Sequence, residues 1–180
     1  MANTLTLSGY FGVKQSFHIS DPDVTTGWFK GQLFKIDSIG TSGTGTLKGA
    51  APSKGPFVGL NDTSGAAILG VALEGSDEES TAVAGMRHPS GSKVTILHGH
   101  SSFYIRYGGT ATSAALRQTG GAPWEVEVES ASLMDRLYAS ANGKFSSFLG
   151  GASATAQAIG YVSQVPSAAN SWTMGVVLYG

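Results

Sequence analysis

The sequence predicts an all-β fold, a small β-barrel or sandwich with long glycine-rich loops and an extended N-terminal arm. Three observations carry this expectation. Short runs rich in β-branched and aromatic residues recur along the chain, separated by turn residues. Glycine occurs 26 times in 180 residues, and Ala, Ser and Thr fill much of the remainder. Helical periodicity is weak, which disfavours alternating strands and helices.

The elements follow in order. Residues 1–26 read as an N-terminal arm or first strand, and residues 27–180 as a single β-barrel-like domain. Residues 32–37 alternate imperfectly, with Leu33, Lys35 and Asp37 on one face and Phe34 and Ile36 on the other. Residues 67–73 form an apolar run between Gly65 and Gly75. They suit a buried strand, with Gly70 as a bulge or point of close approach. Residues 93–97 and 103–107 read as strands joined through a hairpin at His98-Gly99-His100-Ser101-Ser102.

The cleanest alternation lies at residues 124–129: Trp124, Val126 and Val128 face one way, Glu125, Glu127 and Glu129 the other. Asn142-Gly143 predicts a type I′ hairpin turn, whose two central residues need positive φ. Residues 158–165 and 172–179 close the chain as two more strands. Short helical turns are expected at residues 76–86, capped by Ser76, and at 130–136. Residues 39–55 and 108–121 read as long loops.

Composition narrows the function. Charged residues are only 13% of the chain, about half the usual share. Eleven Lys and Arg against twelve Asp and Glu leave a net charge of -1. A nucleic-acid binder needs a basic excess to displace phosphate counterions, so that class is disfavoured. The chain has no cysteine, which excludes disulfides, thiolate nucleophiles and cysteine-ligated metal. No basic leader and no apolar run of about 20 residues is visible, so neither a secretion signal nor a membrane anchor is expected. A near-neutral surface of small residues suits a protein whose faces are covered by neighbours.

No motif assembles catalytic chemistry. His98 and His100 could share a strand face and His88 lies ten residues upstream, but Gly99 makes a turn there and no metal site or cofactor is expected. Ser90-Gly91-Ser92-Lys93 matches a serine–lysine spacing without its companion motifs. The segment 43–49 falls short of the glycine-rich phosphate patterns. Asn61-Asp62-Thr63 is a formal glycosylation sequence, read as chance. Glu125, Glu127 and Glu129 are read either as a solvated face or as an acidic strip that docks on a basic partner.

The order of segments resembles the head decoration, or structural cement, proteins of tailed bacteriophages. Gly31-Gln32-Leu33-Phe34-Lys35-Ile36-Asp37 matches the entry strand, and Ala67-Ile68-Leu69-Gly70-Val71-Ala72-Leu73-Glu74 the next. Pro89-Ser90-Gly91-Ser92-Lys93-Val94-Thr95-Ile96 leads into a second hairpin, and Asp135-Arg136-Leu137-Tyr138-Ala139 precedes the ending. That ending runs Ala158-Ile159-Gly160-Tyr161-Val162, then Pro166-Ser167-Ala168-Ala169, then Met174-Gly175-Val176-Val177-Leu178. The resemblance covers residues 27–180. It implies a non-enzymatic virion component on the outer surface of the capsid. Its partners would be the major capsid protein and further copies of itself, as a trimer or dimer, with no nucleic acid and no membrane. A phage tail or fibre β-domain, or a host-glycan binding module, is the alternative. Phe11, Phe17, Trp28, Glu125, Glu127 and Glu129 are the expected capsid or subunit contacts.

Overall fold

The computed structural model describes residues 3–9, 12–19, 28–39, 56–75, 93–147 and 156–179. In chain order the strands are β1 (Thr4–Leu7), β2 (Val13–Ile19), β3 (Leu33–Ile39), β4 (Pro56–Leu60), β5 (Gly70–Ala72), β6 (Lys93–His98) and β7 (Ser101–Arg106). Then come helix α1 (Ala114–Thr119), a 3-10 turn (Val126–Ser130), β8 (Arg136–Ala139), β9 (Phe145–Ser146) and β10 (Gly160–Gln164). A second 3-10 turn (Ala168–Asn170) leads into β11 (Thr173–Leu178). The fold is all-β, as expected from the sequence, and it combines two bodies. Strands β2-β4-β3-β5-β6 close into a barrel, and β1-β7-β11-β10-β8-β9 form a six-stranded sheet.

Alternation along the barrel strands builds two layers of core. Phe34, Ala72 and Ile96 point into the barrel with Phe17, Ile19, Trp28, Val58 and Val94. Their neighbours Leu33, Val71 and Leu97 point outward, into a second core shared with Phe103, Ile105, Leu137, Val162, Met174 and Val176 of the sheet. Strands β3, β5 and β6 are therefore buried on both faces where they meet the sheet. That explains the imperfect polar alternation of residues 32–37. Gly70 sits at a close approach: a Cβ there would lie 2.1 Å from the Leu97 carbonyl oxygen.

Strands β6 and β7 are not a hairpin. β6 pairs with β2 and β5 in the barrel, while β7 pairs with β1 and β11 in the sheet. The turn at Gly99 (φ 79°) carries the chain from one body to the other. The hairpin expected at residues 98–102 is therefore a crossing between the barrel and the sheet, and partner choice follows which strands cover Leu97 and Phe103.

The β8–β9 connection is a hairpin, and it also docks on the barrel. Gly143 N–H donates to Ser140 O (3.2 Å), with φ 65° at Gly143 alone, so the turn closes on one left-handed residue rather than the two of a type I′ turn. Leu33 N–H donates to Gly143 O at 2.8 Å, and Asn61 Nδ2 donates to Ser140 O at 2.6 Å. Asn61 is fully buried in this joint, which removes it as a glycan acceptor.

Two sequence expectations change here. Residues 108–121 contain α1 instead of a continuous loop. Ser113 Oγ accepts from Leu116 N–H (3.3 Å), and Gly120 closes the helix by donating to Leu116 O (2.8 Å). Residues 126–130 form a 3-10 turn instead of a strand. Trp124 and Val128 are buried, but Val126 between them is 48% exposed. The three apolar residues do not share a face, so the alternation imitated a strand. The expected short helix at residues 76–86 lies outside the described residues, as does most of the 39–55 segment.

Candidate interaction surface

The acidic row becomes internal scaffolding once residues 126–130 coil. Residues two apart on a 3-10 turn point in different directions. Glu129 meets Arg117 bidentately: Nε donates to Oε1 at 2.9 Å and Nη2 to Oε2 at 2.5 Å. Trp124 Nε1 donates to the same carboxylate at 3.3 Å. Arg117 also donates to Thr112 O at 2.8 Å, and its guanidinium lies 3.3 Å from the Trp172 ring centroid. Glu127 accepts from Ser146 Oγ at 2.5 Å, and Glu125 accepts from Asn142 Nδ2 at 3.0 Å. Near Glu125, Lys144 donates to Gln118 Oε1 (3.0 Å). Burial holds the Lys144 ammonium below the ordinary lysine range, and the Glu125 charge offsets part of that shift.

The aromatic contact residues also turn inward. Phe17 and Trp28 lie in the barrel core, 6% and 2% exposed, and Trp28 Nε1 donates to Glu74 O at 2.9 Å. Neither offers a surface to a partner in this conformation. Phe11 lies outside the described residues. The stretch read as an arm or first strand contributes two strands, β1 to the sheet and β2 to the barrel.

What the fold does display is the outer face of the six-stranded sheet. Antiparallel partners share a face. Thr4, Arg106 and Thr173 are in register, as are Thr6, Tyr104 and Gly175. Ser102 is aligned with Val177, Val177 with Tyr161, and Tyr161 with Arg136. The buried residues of β7 and β11 alternate with these, so this set points away from the core. Tyr104 is 37% exposed, and Arg106 and Arg136 are exposed. Just past β11, Tyr179 is 45% exposed, and its ring centroid is 6.1 Å from that of Tyr161. None of the six strands contains an Asp or Glu. Leu133 and Met134, just before β8, add exposed apolar side chains at one end.

This surface needed pairing information. Tyr104, Arg106, Arg136 and Tyr161 are scattered in sequence, and only sheet register brings them together. A partial signal existed in each strand, since Tyr104 and Arg106 are two apart in β7 and so share a face.

His98 closes β6, and His100 lies in the turn beyond Gly99. The His98 ring packs edge-on against Phe17, with centroids 6.0 Å apart. Among the described residues no group of three or more His, Asp or Glu is placed to hold a metal ion. No helix among them is long and apolar enough to cross a membrane. Comparison of the chain with family models, curated proteins and solved structures returns no match.

Proposed function

We propose that this chain is a structural protein that works by lying against neighbouring protein subunits, with the outer face of its six-stranded sheet as the contact. One observation carries the reading: an ordered sheet face set with tyrosines and two arginines, on strands that contain no Asp or Glu. Tyr and Arg are the residues enriched where protein interfaces concentrate their energy. Tyrosine brings a large, stiff surface with a polar tip, and arginine brings a planar donor set for carboxylates. Arg106 and Arg136 select an acidic partner patch, through charge complementarity that also fixes register.

The setting that suits this best is the outside of a bacteriophage capsid, where the chain would cement adjacent shell subunits. The low overall charge, the small-residue surface and the segment order support that setting. A cement protein adds buried area across neighbours, so separating them exposes more surface. A specific contact buries roughly 1,200–2,000 Å².

The test is binding of the purified chain to phage heads that lack it, followed by sedimentation and mass spectrometry. Wild type should bind in copy numbers comparable to the shell subunits. Arg106→Glu with Arg136→Glu should weaken binding at least tenfold, about 1.4 kcal/mol, while circular dichroism is unchanged. Undiminished binding would remove this face from the account. The Tyr161–Tyr179 pair favours a second reading, an aromatic platform for host glycan. A positive glycan array abolished by Tyr161→Ala would decide for it.

A further inference from the structure

Among the described residues, the six-stranded sheet covers one of its two edge strands and leaves the other open. The barrel closes on itself. At one end of the sheet, β9 is covered by the segment before the 3-10 turn: Glu125 N–H donates to Phe145 O (2.8 Å), and Phe145 N–H donates to Pro123 O (2.9 Å). The other end is β1, which pairs with β7 alone.

The free groups on β1 can be identified. Ser8 N–H donates to Ser102 O at 2.9 Å, which makes these two a hydrogen-bonded pair. Alternation along the antiparallel ladder makes Thr6–Tyr104 and Thr4–Arg106 hydrogen-bonded pairs as well. Leu5 and Leu7 therefore direct their N–H and C=O groups away from β7. No described backbone group pairs with them. Natural edges are blunted by shortness, charge, proline or a bulge. Thr-Leu-Thr-Leu is a short edge of four residues, but it carries no charge, proline or bulge, and its register is regular. Leu5 and Leu7 are also only partly buried against the core, so another strand would cover them.

We propose that β1 is an interface with a second copy of this chain, paired antiparallel about a twofold axis at Thr6. An antiparallel edge is its own complement, so a twofold satisfies both copies at once. The outward groups set the register. Leu5 pairs with the partner's Leu7, and Leu7 with the partner's Leu5, giving four backbone hydrogen bonds. Thr6 meets the partner's Thr6 on the axis as a non-hydrogen-bonded pair, with Cα atoms about 4.5 Å apart. The two sheets become continuous and their outer faces point the same way. This rests on the proposed docking face only for its use: a dimer presents that face twice, so modest contacts reinforce each other. The dimer itself stands on β1 alone, and either can fail without the other.

The chain contains no cysteine, so one introduced thiol reports only contact between copies. Thr6→Cys should form a disulfide-linked dimer on mild oxidation, because the axial spacing lies in the disulfide range. Thr4→Cys, off the axis and opposite the partner's Ser8, should not. Sedimentation of the full chain should show a dimer. Thr6→Lys should weaken it about tenfold or more, since like charges directly opposite repel. An equal mixture of Thr6→Lys and Thr6→Glu should restore it. Thr6 is exposed, so these variants fold. A wild type that stays monomeric at high micromolar concentration overturns the proposal. So does a dimer indifferent to Thr6→Lys, or equal cross-linking from Thr4→Cys.

Discussion

Replacing Arg117 with methionine tests whether the 126–130 turn builds the interior as described. The Arg117 side chain is 3% exposed and that of Glu129 12%. Removing the guanidinium leaves the Glu129 carboxylate with one described partner, Trp124 Nε1 at 3.3 Å. Thr112 O loses its donor. Trp172, held at φ 54° beside Ser171 at φ 57°, loses the cation stacked on its ring. Breaking one side of a buried pair costs about 3–5 kcal/mol, most of it the isolated charge. For a chain of this size, that lowers Tm by on the order of 10 °C. The assay is urea unfolding of wild type, Arg117→Met, Glu129→Leu and the double variant, followed by circular dichroism. The double variant should recover at least half the loss, because an apolar pair leaves no stranded charge. Arg117→Met within about 1 kcal/mol of wild type, or no coupling in the cycle, would refute the reasoning. Glu129 would then be hydrated, and the turn would not aim it inward.

Two further outcomes separate core from contact. Phe17→Ala should destabilise by about 3–5 kcal/mol in the same unfolding assay, as loss of a buried ring does. If stability is unchanged while partner binding falls, Phe17 is a surface contact after all. Gly70→Ala should destabilise by at least 1–3 kcal/mol, since its Cβ would sit 2.1 Å from the Leu97 carbonyl oxygen, a backbone atom that cannot swing aside. Wild-type stability there would mean that β5 and β6 are less tightly paired than described.

The helix α1 shows how a legible signal was outweighed. Ser113 followed by Ala-Ala-Leu-Arg-Gln and closed by Gly120-Gly121 is a cap, a run of good helix formers and a stop. The glycines on either side give the whole stretch the composition of a loop. At residues 124–129 the signal itself misled. Period-two alternation is produced equally by a strand and by a coiled segment in which Trp124 and Val128 fall inward four residues apart. The Arg117 guanidinium, twelve residues upstream of Glu129, holds the coiled form.

By itself, the amino-acid sequence determined the fold class, most strand positions, the close approach at Gly70 and the hairpin at Gly143. These depend on local backbone preference and on which side chains avoid water, and both act within a few residues. Only the tertiary structure decided that β6 and β7 part company, that three glutamates bond to Asn142, Ser146 and Arg117 of the same chain, and that Tyr104, Arg106, Arg136 and Tyr161 share one open face. Those outcomes depend on hydrogen-bond register between segments up to about a hundred residues apart. A strand's pattern says that one face must be covered, but it does not say by which partner.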